Sequence, residues 1–222
     1  MTESERMRSA ERGGSMGLAH RGGAEPPRLS CRLTDLVAGL DEAGRAPLAG
    51  PVVSSCVVWE GLPTLKEKVN DSKLLSEKKR EYLFGWILEN AYKVAVGVAS
   101  PEEIERLNIH YASLLSMERA VRNTALQPRL LLVDGLFPLK GMDQSKAVVK
   151  GDRKCFFIAS ASIVAKVVRD RLMAIYDASY PHYNWKKNKG YPTGDHKLAI
   201  ERFGISPLHR RTFKGVKEYC GE

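Results

Sequence analysis

Short apolar runs bounded by turn residues recur along the chain and predict the strands of a sheet. The first run, Leu36–Asp41, and the second, Val52–Trp59, are joined by a turn rich in glycine and proline, so we expect them to form an antiparallel pair. Later apolar runs have the length that is typical of buried strands. These later predicted strands are Lys93–Val98, Arg129–Asp134 and Ala147–Lys150.

Helical periodicity and capping signals occupy the intervals between these runs. Ser100, Pro101 and Glu103 combine a helix cap, a proline in the first turn and a capping-box glutamate, which predicts a helix that begins there and runs towards Leu126. Gly204 is placed to end the last amphipathic stretch. The other predicted helices are Ser76–Ala91, Phe156–Ile175 with Ile163, Val164, Val167 and Leu172 facing the core, and Thr193–Phe203.

The order of these elements, ββαβαββαα, is typical of an α/β domain with a mixed central sheet flanked by helices. Residues 1–33 contain paired glycines and prolines but no apolar periodicity, which predicts a disordered N-terminal tail. We therefore expect one domain over residues 34–222, with a C-terminal helical part that begins at about residue 180.

The composition is that of a globular protein, with 43% hydrophobic residues in a chain of 222. The longest apolar run, Cys155–Ala165, ends at Lys166 and is too short to span a membrane. The four cysteines are scattered and form no C-x-x-C pair, as is typical of a reducing compartment. No secretory signal is recognisable, so we expect a cytoplasmic protein without a membrane partner.

The net charge of +9 is concentrated near the C-terminus, where residues 185–222 carry nine basic and four acidic side chains. Aromatic residues such as Trp185 and Tyr191 are interleaved with these charges. A basic segment of this kind suits the phosphate backbone of a nucleic acid. A solvated surface helix has a similar composition, so the charge alone leaves both interpretations open.

Acidic residues interrupt or end apolar structure at three places. Asp41 and Glu42 end the first predicted strand, Asp134 ends the fourth, and Asp170 follows Lys166 by four residues on a predicted helix. Any one of them is compatible with a solvated turn residue. Together they predict a carboxylate cluster at one edge of the sheet, where open α/β folds bind ligands. Protons or hard divalent cations would neutralise such a cluster, and two cations there would support hydrolysis of a phosphodiester.

Other reaction classes lack their motifs in this sequence. There is no phosphate-binding G-x-x-x-x-G-K-[ST] loop, no dinucleotide-binding glycine fingerprint, no H-E-x-x-H and no G-x-S-x-G. The five histidines are widely spread. A Ser-His-Asp site is not excluded, but no pattern nominates one.

Six sequence blocks resemble the motifs of the ribonuclease HII family and occur in the family's order between residues 36 and 213. The longest is the DEAGRAPLAGPVV block that begins at Asp41. The other blocks are Asn70–Ser76, Val133–Gly135, Ala159–Asp170, Gly190–His196 and His209–Phe213. Six blocks in sequence are far more specific than any one of them alone.

The resemblance implies a ribonuclease H-like fold with a C-terminal helical extension. It also implies an endonuclease that cleaves the RNA strand of RNA/DNA hybrids and incises duplex DNA at embedded ribonucleotides, leaving 5′-phosphate and 3′-hydroxyl ends. The family's metal-binding acids map onto Asp41, Glu42, Asp134 and Asp170, which would hold Mn²⁺ or Mg²⁺, in a two-metal site. We expect a monomer whose partners are RNA/DNA hybrids and DNA duplexes that contain ribonucleotides.

The same resemblance assigns substrate reading to residues outside the acidic cluster. Gly44, Arg45 and Ala46 match the loop that reads the junction where a ribonucleotide precedes DNA, and Tyr191 matches the aromatic residue that assists it. Lys73 is expected to reach a backbone phosphate, although a solvated loop lysine fits nearly as well.

Ala46 departs from the family pattern, which has glycine at this position. A methyl group there would crowd the ribose or, if the residue needs a left-handed backbone, cost about 1 kcal/mol. We expect cleavage at a single ribonucleotide to be weakened relative to cleavage of long hybrids.

Two other functions remain compatible with the residues. One is a basic nucleic-acid-binding protein without catalysis, and the other is a nuclease of the same fold that prefers DNA. Cation-dependent cleavage separates the first from an enzyme, and replacement of ribose by deoxyribose separates the second from a ribonuclease.

Overall fold

The computed structural model of the protein describes residues 36–63, 69 and 72–221. The tail predicted for residues 1–33 lies outside the described residues, as do Asn70 and Asp71 of the second motif. The strands are β1 Leu36–Ala43, β2 Val52–Glu60, β3 Lys93–Ala99, β4 Leu130–Asp134 and β5 Ser145–Val148. The helices are α1 Glu77–Asn90, α2 Pro101–Thr124, α3 Gly151–Lys154, α4 Phe156–Ser179, α5 Trp185–Asn188 and α6 Gly194–Phe203.

The strands form one mixed sheet in the order β3-β2-β1-β4-β5. β1 pairs with β2, and β2 with β3, in antiparallel orientation, whereas β1 pairs with β4, and β4 with β5, in parallel. The antiparallel pairing of the first two strands and the mixed α/β sheet predicted from the sequence are thereby confirmed. The carboxyl ends of the three parallel strands β1, β4 and β5 meet at one edge of the sheet.

The sheet is buried on both faces, and successive side chains of a strand point alternately into two hydrophobic cores. Cys56 and Val58 of β2 face a core that includes Met117 of α2. Val57 and Trp59 lie on the opposite face in a core built from α1 and α4. The sequence of β2 is therefore a nearly continuous apolar run, as expected of a strand that is buried on both faces.

Local capping fixes the helix ends that the sequence predicted. Ser100 and Glu103 form the complete capping box of α2. The Ser76 and Thr193 side chains accept hydrogen bonds from the first turns of α1 and α6, and Gly204 ends α6. One inward position was wrong: Leu172 of α4 is only half-buried, whereas its neighbour Met173 is fully buried.

α2 contains a kink at Asn108 that the sequence pattern did not reveal. Asn108 has a φ of 65° and a ψ of 166°, outside the helical range. Its side-chain oxygen accepts hydrogen bonds from the amides of His110 and Tyr111. Asn108 therefore caps a second helical segment within α2, and this segment begins beside the carboxyl edge of the sheet.

The C-terminal part packs as a separate cluster against the start of the domain. Trp185 and Ile200 are buried together with Leu48 and Ala49, which lie in the turn between β1 and β2. Backbone hydrogen bonds from Leu48 to Gly190 and from Gly50 to Leu208 close this contact. None of the helices in the described ranges has the length and apolar character needed to cross a membrane.

Candidate active site

Asp41 and Glu42 follow each other at the end of β1 and point to opposite faces of the sheet, as consecutive strand residues do. Asp41 is buried. Its carboxyl accepts a hydrogen bond from the Ser162 side chain of α4, which by itself would lower the pKa of Asp41. The Glu42 amide donates to Asp41 Oδ1 at 2.7 Å. Glu42 Oε1 accepts from Arg45 at 3.2 Å, whereas its buried Oε2 atom has no hydrogen-bond partner in the described structure.

Asp134 is brought beside Asp41 by the parallel pairing of β1 and β4. Leu40 lies opposite Val133 in the register, so the two aspartates follow at the same level at the carboxyl ends of their strands. Asp134 Oδ1 accepts a hydrogen bond of 2.7 Å from the Gly151 amide. That bond ties the end of β4 to the beginning of α3.

Asp152 completes this cluster, although it was not among the acids predicted from the sequence. One carboxylate oxygen from each of Asp41, Asp134 and Asp152 lies within 4.8 Å of the other two. Asp152 follows β5 by four residues, and β5 is the parallel neighbour of β4. A search that also included acids a few residues after the carboxyl end of each predicted strand would have found Asp152.

Asp170 lies elsewhere on α4 and is not a member of that three-carboxylate group within the described ranges. Its Oδ1 atom accepts a hydrogen bond of 2.7 Å from Lys166 Nζ, one helical turn earlier. Ser162, Lys166 and Asp170 follow one another at intervals of four residues and share one face of α4. Ser162, rather than Asp170, is the residue of this face that contacts the Asp41 carboxyl.

The carboxyl groups of Asp41 and Glu42 are hard to ionise in the protein alone. Burial raises the pKa of Asp41 well above its ordinary value, and the charges of Glu42 and Asp134 raise it further. Burial likewise raises the pKa of Glu42, although the Arg45 guanidinium opposes the shift. Buried carboxylates that repel one another in this way favour a bound cation over the ionised, cation-free state.

An open cavity of about 190 Å³ adjoins the cluster and is lined by Glu42 and Asp134 together with His110 and Ser113 of α2. A larger groove of about 710 Å³ lies next to it and shares His110, Leu114 and Phe137 as lining residues. Glu42 and Asp134 thus border an open cavity on the α2 side of the sheet.

Gly44, Arg45 and Ala46 form the turn that leaves β1. Gly44 is buried with a φ of 100°, whereas Arg45 and Ala46 are exposed. The left-handed conformation considered for Ala46 does not occur, since Ala46 has no positive φ. The residue in this turn that requires glycine is Gly44, because a Cβ atom there would lie 2.0 Å from Arg169 Nε.

Tyr191 and Lys73 approach the site from two other segments. Tyr191 is half-buried, and Lys166 Nζ lies 5.9 Å from the centre of its ring, so the Lys166–Asp170 pair adjoins it. Lys73 is exposed. Its neighbour Ser72 is hydrogen-bonded through Oγ to Ser162 Oγ at 2.9 Å, which holds this turn beside the residue that contacts Asp41.

The chain is similar to proteins of the ribonuclease HII family. A family model described as Ribonuclease HII matches residues 38–216. A ribonuclease HII from Magnetococcus marinus is 51% identical over 198 residues, covering 85% of this chain and 89% of the relative. One from Psychromonas ingrahamii is 47% identical over 186 residues, covering 84% and 91%. The crystal structure of the ribonuclease H2 from Pyrococcus horikoshii OT3 is similar with a TM-score of 0.71 and 27% identity, over 83% of this chain and 96% of that one.

Proposed function

Because the chain belongs to the ribonuclease HII family, we propose that Asp41, Glu42, Asp134 and Asp152 form the catalytic centre of a metal-dependent ribonuclease H. The protein cleaves RNA in RNA/DNA hybrids and at ribonucleotides embedded in DNA, as its family does. The observation that carries the assignment of the centre is the approach of Asp41, Asp134 and Asp152 to within 4.8 Å.

The donor set fits hard divalent cations. Carboxylate oxygens are the ligands that Mg²⁺ and Mn²⁺ accept, and Glu42 Oε2 is a buried oxygen without a partner in the described structure. Asp41, Glu42, Asp134 and Asp152 would hold the cations. When bound there, such cations activate a water and stabilise the departing 3′-oxygen of a phosphodiester.

The fourth carboxylate is Asp152 in this proposal, and Asp170 has a different role. The Lys166 ammonium already neutralises the Asp170 carboxylate through a contact of 2.7 Å. Lys166 of this pair lies 5.9 Å from the centre of the Tyr191 ring. The placement of Asp170 among the metal ligands remains a prediction that mutation distinguishes from the assignment to Asp152.

Residues outside the carboxylate cluster would read the substrate. Backbone groups of Gly44, Arg45 and Ala46 would meet the 2′-hydroxyl, which is the group that distinguishes RNA from DNA at a given nucleotide. Tyr191 would stack against the sugar or base, a contact worth about 1–3 kcal/mol. Lys73 would bind a phosphate of the backbone.

One assay tests this function. End-labelled duplexes of one sequence, with no, one or several consecutive ribonucleotides, are incubated with Mg²⁺, with Mn²⁺ or with a chelator. We expect cleavage only with a cation and only of duplexes that contain ribose, with products that carry 5′-phosphates. Binding without cleavage would favour the non-catalytic protein, and cleavage of the all-DNA duplex would favour the DNA nuclease. Comparison of the two cations ranks Mn²⁺ against Mg²⁺.

The expectations of a monomer and of a cytoplasmic location remain predictions. Light scattering coupled to size-exclusion chromatography tests the monomer, with and without a ribonucleotide-containing duplex. Fractionation of cells tests the location.

A further inference from the structure

Two arginine side chains are buried beneath the Gly44–Ala46 turn. Arg169 lies on α4 and Arg210 follows α6, and they are 1% and 0% exposed. Each hydrogen bond that their guanidinium groups make within the described chain goes to a backbone carbonyl. Arg169 donates to Ala49, Pro51 and Lys189, and Arg210 donates to Gly44, Arg45 and Gly50, over distances of 2.6–3.1 Å.

Such burial is costly, because a cation removed from water needs full compensation. Burial lowers the pKa of Arg169 to about 10 and that of Arg210 to about 9. The planar guanidinium compensates by placing its donors in a fixed fork. Three carbonyls held by one fork cannot rotate independently, so each arginine fixes the backbone that it contacts.

The Arg210 fork sets the direction of two successive peptide groups. The carbonyls of Gly44 and Arg45 point inward to Arg210, at 2.6 and 2.9 Å. In a trans peptide the N–H is opposite to the C=O, and no cis bond occurs in the described structure. The amides of Arg45 and Ala46 therefore point outward, and neither has a hydrogen-bond acceptor within the described ranges.

Arg169 couples the same turn to the Tyr191 segment. It fills the space next to Gly44, where a Cβ atom would lie 2.0 Å from its Nε. Its Nη1 atom donates to the carbonyl of Lys189 at 2.9 Å, two residues before Tyr191. One rigid side chain thus fixes the distance between the turn and the aromatic ring.

We propose that Arg210 and Arg169 are positioning residues for ribose recognition. They hold the amides of Arg45 and Ala46 so that these point outward, at a set distance from Tyr191. Both amides then donate hydrogen bonds to the side of the substrate that carries the 2′-hydroxyl. This inference rests on the proposed function. Two successive amides that point the same way form a concave donor site for oxygen. The arginines act only through the backbone and touch no substrate.

The test compares two duplexes that differ by one 2′-hydroxyl. KM and kcat are measured for the single-ribonucleotide duplex, and the inhibition constant Ki is measured for the all-DNA duplex of the same sequence. Arg210→Lys keeps the charge but loses the fork. We expect it to lower the ratio of Ki to KM about tenfold, the effect of losing one to two hydrogen bonds, with Ki unchanged. Arg169→Lys should act in the same direction.

Arg119→Lys is the matched control. Arg119 also donates to a backbone carbonyl, that of Val98, and forms a bidentate pair with Glu103, but it does not contact the turn. It should lower the melting temperature and leave the ratio of Ki to KM unchanged. An unchanged ratio in Arg210→Lys, or equal rises of KM and Ki, would show a merely structural role and overturn the inference.

A measurement on the parent protein tests the inference even if the variants fail to fold. With a chelator present, the amide resonances of Arg45 and Ala46 should shift on titration with the single-ribonucleotide duplex and not with the all-DNA duplex. Equal shifts with both duplexes would overturn the inference while leaving cleavage, and hence the proposed function, intact. A parent that cleaves neither hybrid nor embedded ribonucleotide would instead refute the proposed function.

Discussion

The Nε2 atoms of His196 and His209 lie 3.1 Å apart in the buried C-terminal cluster. His196 Nδ1 must carry a proton, because its partner is the Tyr191 carbonyl. His196 Nε2 therefore accepts, from Trp185 Nε1 at 3.0 Å and from His209. His209 Nδ1 accepts from the Ser206 amide. The pair is held neutral, and it supports the backbone of Tyr191.

Protonation of this pair should destabilise the fold as the pH falls. Burial lowers the pKa of both histidines, that of His209 to about 3. The unfolded chain binds protons near pH 6.5, so between that pH and about 3 the unfolded state holds more protons than the folded state. The stabilising contribution is complete above the unfolded pKa and is lost below it, by up to about 1.4 kcal/mol per pH unit for each histidine.

Urea unfolding of the parent and of His209→Gln between pH 7.5 and 5 measures this effect. The variant should be less stable at pH 7.5 but should lose less stability on acidification. Equal pH slopes for the two proteins would contradict the neutral pair.

Asp134→Asn should abolish cleavage without unfolding the protein. The asparagine oxygen can still accept the hydrogen bond from Gly151, and loss of one charge relieves the repulsion on Asp41. We expect activity to fall more than about 100-fold and the melting temperature to stay equal or rise. The exposed Asp143 gives the control, since Asp143→Asn should change neither quantity. An Asp134→Asn protein that fails to fold would make this carboxylate structural.

Asp152→Asn and Asp170→Asn decide which residue is the fourth ligand. A cation that binds only the folded state raises the melting temperature in proportion to the logarithm of its concentration. Thermal denaturation with increasing Mn²⁺ should show this rise in the parent and in Asp170→Asn, and a much smaller rise in Asp152→Asn. Loss of the Lys166 pair should cost Asp170→Asn about 1 kcal/mol or less. The reverse pattern would return Asp170 to the metal site.

Ala46→Gly should leave cleavage of a single-ribonucleotide duplex within about twofold of the parent. Ala46 has no positive φ, so glycine relieves no strain, and its methyl group lies on the exposed side of the turn. The greater freedom of glycine in the unfolded chain should lower stability by about 0.4–1 kcal/mol. A large gain in cleavage of the single-ribonucleotide duplex, relative to a long hybrid, would show that the methyl group crowds the ribose.

Local signals allowed much of the fold to be predicted. The caps at Ser100 and Thr193 act within one helical turn, and the apolar run of β2 reflects burial on both faces. Asp41 and Asp134 were predicted because an acid that ends a buried strand is conspicuous. Asp152 was missed because it follows the predicted fifth strand by two residues and so neither interrupts nor ends an apolar run.

The remaining features depend on contacts that no local pattern encodes. Helical spacing placed Asp170 on the face of α4 that approaches the site, but its ion pair with Lys166 sets the direction of its carboxylate. The carbonyl partners of Arg210 lie 160–166 residues earlier in the chain. Its position in the sequence therefore gives no indication of which carbonyl groups it binds.

That separation has a consequence for synthesis of the protein. Asp41, Glu42, Asp134 and Asp152 all leave the ribosome before Arg210 does, so a nascent chain carries every acid of the proposed centre while the turn after β1 still lacks the hydrogen bonds from Arg210. If Arg210 positions this turn as proposed, discrimination of ribose from deoxyribose would be acquired only once that arginine has emerged, later than the four acids.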